Sequence, residues 1–131
     1  MKDNPYDFES NPILKHSFEF ALMAVAYCRE LEAQRDFAIA NQLTRCGTSI
    51  GANMWEAQSP ESKADFIHKC KIAMKEAAES EYWLLVCQKA PGFPAQNGHL
   101  EKVAEIRRIL GSIINSSRHN NPFSFFLSFF F

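Results

Sequence analysis

The chain has 131 residues, enough for one domain with a continuous core and too few for two that would each hold without staples. Hydrophobic residues make up 47% and charged residues 22%, an ordinary balance for a globular protein. Lys+Arg of 14 against Asp+Glu of 15 leaves a net charge of −1, so bulk charge offers no argument for a nucleic-acid partner.

The first predicted helix opens at Asn11-Pro12, an N-cap residue followed by a proline whose missing N–H costs nothing there. Leu14, Phe18, Ala21, Val25 and Cys28 then recur at helical spacing and are read as the core stripe. Phe20, Met23, Tyr27 and Leu31 form a second apolar stripe beside it. One bundle core needs only about three apolar positions in seven. The surplus stripe therefore predicts a second buried face, and these four residues are the expected oligomer interface.

The second helix is predicted from about Asp36 to Gln58, with Ile39, Leu43, Cys46, Ile50, Met54 and Ala57 as its core stripe. Thr44, Gly47 and Gly51 line up as a strip of small residues. Glycine in a helix interior costs about 0.5–1 kcal/mol relative to alanine, so two glycines four apart predict the close approach of a neighbouring backbone. Arg45, Ser49, Asn53 and Glu56 share another face of this helix. Lys75, Glu76, Glu79 and Glu81 on the third helix are available to meet them. The stripe, with Glu79, is either a hydrogen-bonded network that sets helix register or a polar contact at a subunit or ligand interface.

Ser59-Pro60-Glu61 carries the start signal of a third helix. Phe66, Cys70, Ala73, Ala77, Ser80, Leu84 and Cys87 step in fours and threes along it, a heptad seam with small residues at its middle. Pro91-Gly92-Phe93-Pro94 ends the run. A fourth helix follows from about Asn97 through Leu100, Val103, Ile106, Leu110 and Ile113. No segment alternates with the period of a strand. The expected fold is all-α, an antiparallel up-down four-helix bundle over residues 1–119 with short connections.

Residues 120–131 form a separate tail holding six of the twelve phenylalanines. It is too short to cross a bilayer, which takes about 20 apolar residues in a helix. Docking on a neighbouring subunit, contact with a membrane surface, and an unshaped terminus all stay open. The start of the chain is polar and lacks the apolar run of a signal peptide. Cys28, Cys46, Cys70 and Cys87 are far apart and each lies in an apolar stripe, which predicts buried thiols, no structural zinc and a reducing cytoplasm.

Templates for chemistry fail in turn. A di-iron bundle needs a Glu-x-x-His on each of two helices, and the nearest approach is a single Asp65-x-x-His68. The four histidines include no haem attachment motif, and Gly47 and Gly51 lack the Lys-Ser/Thr that a phosphate loop requires. Neither enzyme activity nor a cofactor is expected. Lys63, Lys69, Lys71 and Lys75, with Lys102, Arg107 and Arg108, are the candidate nucleic-acid contacts, set against the reading of a solvated charged face broken by acidic residues.

Three blocks bring a family into view. Arg45-x-x-x-Ser49-Ile50-Gly51-Ala52-Asn53-x-x-Glu56-Ala57, Ser62-Lys63-Ala64-Asp65-Phe66-Ile67-His68-Lys69 and Ile72-Ala73-x-Lys75-Glu76-Ala77-x-Glu79-x-Glu81-Tyr82-Trp83-Leu84 resemble the bacterial 23S rRNA-intervening-sequence proteins. The chain is also similar to the accessory protein of diversity-generating retroelements. The resemblance runs from about Asn11 to Ser117. It implies a four-helix bundle that assembles as a homopentamer and has no known enzymatic activity. The retroelement relatives bind nucleic acid and a reverse transcriptase through a basic surface, a role that the net charge of −1 does not favour here. Trp55 and the Phe-rich tail depart from the family pattern. The expected function is thus a non-enzymatic, self-associating interaction protein of the bacterial cytoplasm, with an RNA- or DNA-binding accessory role as the alternative.

Overall fold

A computed structural model describes residues 8–119. Four helices follow one another: α1 Pro12–Ala33, α2 Phe37–Glu56, α3 Lys63–Lys89 and α4 His99–His119. Each packs on the next and α4 returns to α1, so the four stand in a square with α1 diagonal to α3. This is the up-down four-helix bundle that the cap, period and breaker signals predict. No helix among the described residues is long and apolar enough to cross a membrane.

The helix ends follow from local hydrogen bonding. Asn11 caps α1, its side-chain oxygen accepting from the Leu14 N–H at 3.4 Å, with Pro12 at the first position. At the other end Arg35 adopts φ +67°, while the Asp36 N–H donates to Leu31 O and the Arg35 N–H to Glu32 O. That is a Schellman stop with arginine in the left-handed position where glycine is usual, at a cost of about 1–2 kcal/mol. α3 starts later than Ser59-Pro60 suggests. Ser62 is its cap, accepting from the Asp65 N–H at 3.0 Å, and Asp65 Oδ2 accepts in return from the Glu61 N–H at 3.1 Å. This reciprocal pair outweighs a proline start signal that has no side-chain oxygen placed to match it. α4 likewise starts after Gly98, whose φ is +80° and whose carbonyl accepts from Lys102, not at Asn97.

All seven predicted seam residues of α3 are buried, as are Leu43, Cys46, Ile50 and Met54 of α2, Ala57 at its C-cap, and Val103, Ile106 and Leu110 of α4. The four cysteines are free and buried, as expected of thiols used as small hydrophobes. Burial pushes Cys70 up to about 12 and Cys46 up to about 11, so neither is a ready thiolate.

The two stripes of α1 are exchanged relative to expectation. Phe20, Tyr27 and Leu31, assigned to an oligomer interface, are at most 1% exposed and form the core with Ile13, Ala24 and Cys28. Met23 is half-buried. Leu14, Ala21 and Val25, assigned to the core, are only partly covered, and Phe18 is 44% exposed. The reason lies on α2. A methyl group added at Gly47 would sit 2.8 Å from Ala24 Cβ, and one at Gly51 would sit 3.3 Å from the Ser17 carbonyl oxygen. The close approach predicted for the glycines is real, and its partner is the Ser17–Ala24 side of α1. That side turns Phe20 inward and leaves Phe18 outside.

Candidate functional site

The exchange puts an apolar surface on the outside of α1 and α2. Leu14, Ser17, Phe18 and Ala21 form one wall and Thr48, Gly51, Ala52 and Trp55 the other, around a groove of about 290 Å³. Its two hydroxyls are committed to their own helices: Ser17 Oγ donates to Leu14 O at 3.3 Å and Thr48 Oγ1 to Thr44 O at 2.7 Å. What the groove offers is therefore almost entirely hydrocarbon and ring surface. Phe8 already lies against its rim, stacked on Phe18 with centroids 5.0 Å apart and edge-on to Trp55 at 6.3 Å. Next to the groove along α1 stands Leu22, 57% exposed. A second apolar patch, Tyr82 at 59% and Leu85 at 39%, lies on α3, diagonally across the bundle.

The predicted polar stripe is present but does not knit α2 to α3 as a network. Ser49 Oγ donates to Arg45 O at 2.7 Å and Asn53 Nδ2 to Ser49 O at 2.8 Å, both within α2. Arg45 donates to Gln42 Oε1 at 2.8 Å. Glu79 accepts from the Trp83 indole at 3.1 Å within α3, and Glu81 turns to Arg107 of α4 at 2.9 Å. Only Glu56 crosses to α3, pairing with Lys69 at 2.9 Å. Burial, and then the nearby Glu79, raise the Glu76 carboxyl above its usual range, with Arg45 pulling the other way. Ser49 and Asn53 thus satisfy themselves on carbonyls of their own helix, as short polar side chains in helices do.

The candidate nucleic-acid contacts are mostly answered by carboxylates. Besides the Lys69–Glu56 pair, Lys102 donates to Glu19 Oε2 at 2.5 Å and faces His16 Nδ1 at 2.9 Å, with only 18% of its side chain exposed. Arg107 pairs with Glu81, and Arg108 with Glu105 one turn earlier. Lys71 and Lys75 are exposed on α3, and Lys63 is half-buried in its first turn. No continuous basic face results. Among the described residues, no three His, Cys, Asp or Glu side chains are grouped to hold a metal ion.

The family model of the 23S rRNA-intervening sequence proteins matches residues 9–112, which takes in nearly all of the described bundle. The chain belongs to that family. A solved structure is also similar, that of a protein with unknown function from the S23 ribosomal protein family of Bacteroides thetaiotaomicron VPI-5482. It is 39% identical, covers 78% of this chain and 97% of its own, and has a TM-score of 0.74. No curated protein matches. Family membership accounts for the helices and their order.

Residue spacing alone did not pick out Phe18, Leu22 or Trp55 as surface. A usable signal was present, since Ser17 and Ala24 are small residues seven apart that complement Gly47 and Gly51. Matching the two strips would have turned α1 the right way.

Proposed function

We propose that this chain is a non-enzymatic interaction protein that assembles with copies of itself through two different apolar patches. The observation that carries this reading is their placement. Leu22 on α1 and Tyr82 with Leu85 on α3 project from diagonally opposite helices. Unlike patches on opposite sides meet head to tail, and a head-to-tail contact closes into a ring when its rotation divides the circle. Five subunits is the number implied by the family resemblance. The four free, buried cysteines fit a reducing compartment, which we take to be bacterial cytoplasm. An RNA- or DNA-binding accessory role has weaker support, because a phosphate backbone would have to displace the carboxylates from Lys69, Lys102, Arg107 and Arg108.

Mixing two variants tests the head-to-tail contact. Leu22→Lys removes one patch and Leu85→Lys the other. Each variant alone should run as a monomer, and an equal mixture should give a one-to-one heterodimer built from the two intact patches. A homodimer of either single variant, or unchanged assembly of both, overturns the reading.

A further inference from the structure

We propose that the groove between α1 and α2 is the docking site of the chain's own C-terminal segment, residues 120–131, which places phenylalanine rings against Phe18 and Trp55. The chemistry of the groove selects the occupant. Leu14, Phe18, Ala21, Ala52 and Trp55 supply apolar and ring surface, and the two wall hydroxyls are spent on helix carbonyls. Such a surface rewards buried rings and gives a polar peptide or a nucleotide almost nothing to bond. Half of residues 120–131 are phenylalanine: Phe123, Phe125, Phe126, Phe129, Phe130 and Phe131.

The same surface already holds a ring from the other end of the chain. Phe8, which lies outside any helix, packs on Phe18 and Trp55 at 5.0 and 6.3 Å. Offset and edge-on ring pairs of this kind add about 0.5–1.5 kcal/mol to the area they bury. A second segment rich in phenylalanine can dock beside it by the same contacts.

Reach and position favour the segment of the same molecule. The helices alternate in direction, so α4 ends at His119 at the end of the bundle where α1 begins and α2 finishes. The groove walls, residues 14–21 and 48–55, lie toward that end. Twelve extended residues span up to about 40 Å, against about 10 Å for the width of the one helix to be passed. Tethering replaces a bimolecular encounter with an intramolecular one. Docking also covers an aromatic segment that is an association hazard when exposed. Leu22 adjoins the groove without lining it. The proposed contacts are with the groove walls and need no second copy of the chain, so the inference does not rest on the assembly.

Two measurements on the intact fold test it. In a Trp83→Phe background Trp55 is the sole tryptophan, and its quenching by acrylamide is compared between the full chain and a chain ending at His119. Removing the segment should raise the quenching constant about two-fold, as stacked rings leave the indole. Equal constants overturn the proposal. In the full chain, benzoylphenylalanine at position 126 is photoactivated in a mixture of light and heavy isotope-labelled protein. Cross-links within one chain to residues 14–21 or 48–55 are expected. Cross-links only between light and heavy chains, or only to other helices, overturn it even if the shortened chain fails to fold.

Discussion

Gly47 is where a single atom decides the packing of α1 on α2. Its missing Cβ would meet Ala24 Cβ at 2.8 Å, and Ala24 Cβ is fixed to its own backbone and cannot swing away. Gly47→Ala gains about 1 kcal/mol of helix propensity but forces two packed helices apart, which costs about 1–3 kcal/mol. We expect a net loss of about 1 kcal/mol in chemical denaturation, and recovery of part of it in the Gly47→Ala, Ala24→Gly double variant. Gly51→Ala, whose nearest contact is 3.3 Å, should cost less. A Gly47→Ala protein at least as stable as the parent would refute this account of the α1–α2 contact. The strip of small residues was legible in the sequence as a close approach. Its partner was not, because helical spacing says which residues share a face and not which way that face turns. Phe18 and Phe20 are both large and apolar, and only the Ser17–Ala24 complement to the glycines separates them.

Pairs of helices carry the polar detail, and the seam between α1 and α4 shows what it does to stability. Lys102 of α4 bonds Glu19 and stands 2.9 Å from His16 Nδ1, so the imidazole sits beside a cation. Burial first, and Lys102 next, hold His16 below its usual value of 6.5. His99, half-buried against the Tyr27 ring at 5.3 Å, is also lowered, chiefly by burial. Both groups bind protons less tightly folded than unfolded. The stability they contribute is therefore complete above the unfolded value and is lost as pH falls through the lower folded values. Glu19, held below its ordinary carboxylate range mainly by the Lys102 hydrogen bond, acts in the same direction at still lower pH. The melting temperature should fall between about pH 7.5 and pH 5, and the His16→Gln, His99→Gln double variant should flatten that part of the profile. A parent profile that rises toward acid would contradict the assignment. Element boundaries were readable where a side-chain cap and a breaker agreed, as at Asn11-Pro12 and Ala90-Pro91. They slipped where a proline suggested a start that a better cap overruled, as at Ser62. The polar stripe of α2 was placed on the correct helix, but spacing cannot tell whether Ser49 and Asn53 bond across the interface or back to their own carbonyls.

For the whole molecule, the fold follows from signals repeated along the chain, and the proposed interaction surface is what the fold leaves over. The α3 seam fills the centre of the bundle with Ala73, Ala77 and Ser80, whose hydroxyl donates to Glu76 O at 2.8 Å and lies 3.3 Å from Cys46 Sγ, so the helices sit close. Tyr27 Oη donates to Pro94 O at 2.8 Å and Gln96 Nε2 to Leu84 O at 2.7 Å, which ties the loop between α3 and α4 to the core. Leu22 on one side and Tyr82 with Leu85 on the other remain as exposed apolar surface, with Tyr82 edge-on to its neighbour Trp83 at 5.0 Å. That a second apolar face exists was legible in the surplus of apolar residues on α1. Which residues form it was not, since that depends on the rotation of α1 against Gly47 and Gly51. Self-association through this surface is the central claim, and the mass of the full chain in solution tests it most directly. Light scattering at micromolar concentration should give a defined multiple of the 15.0 kDa chain, five-fold for the ring proposed here. A mass of one chain at that concentration would contradict it.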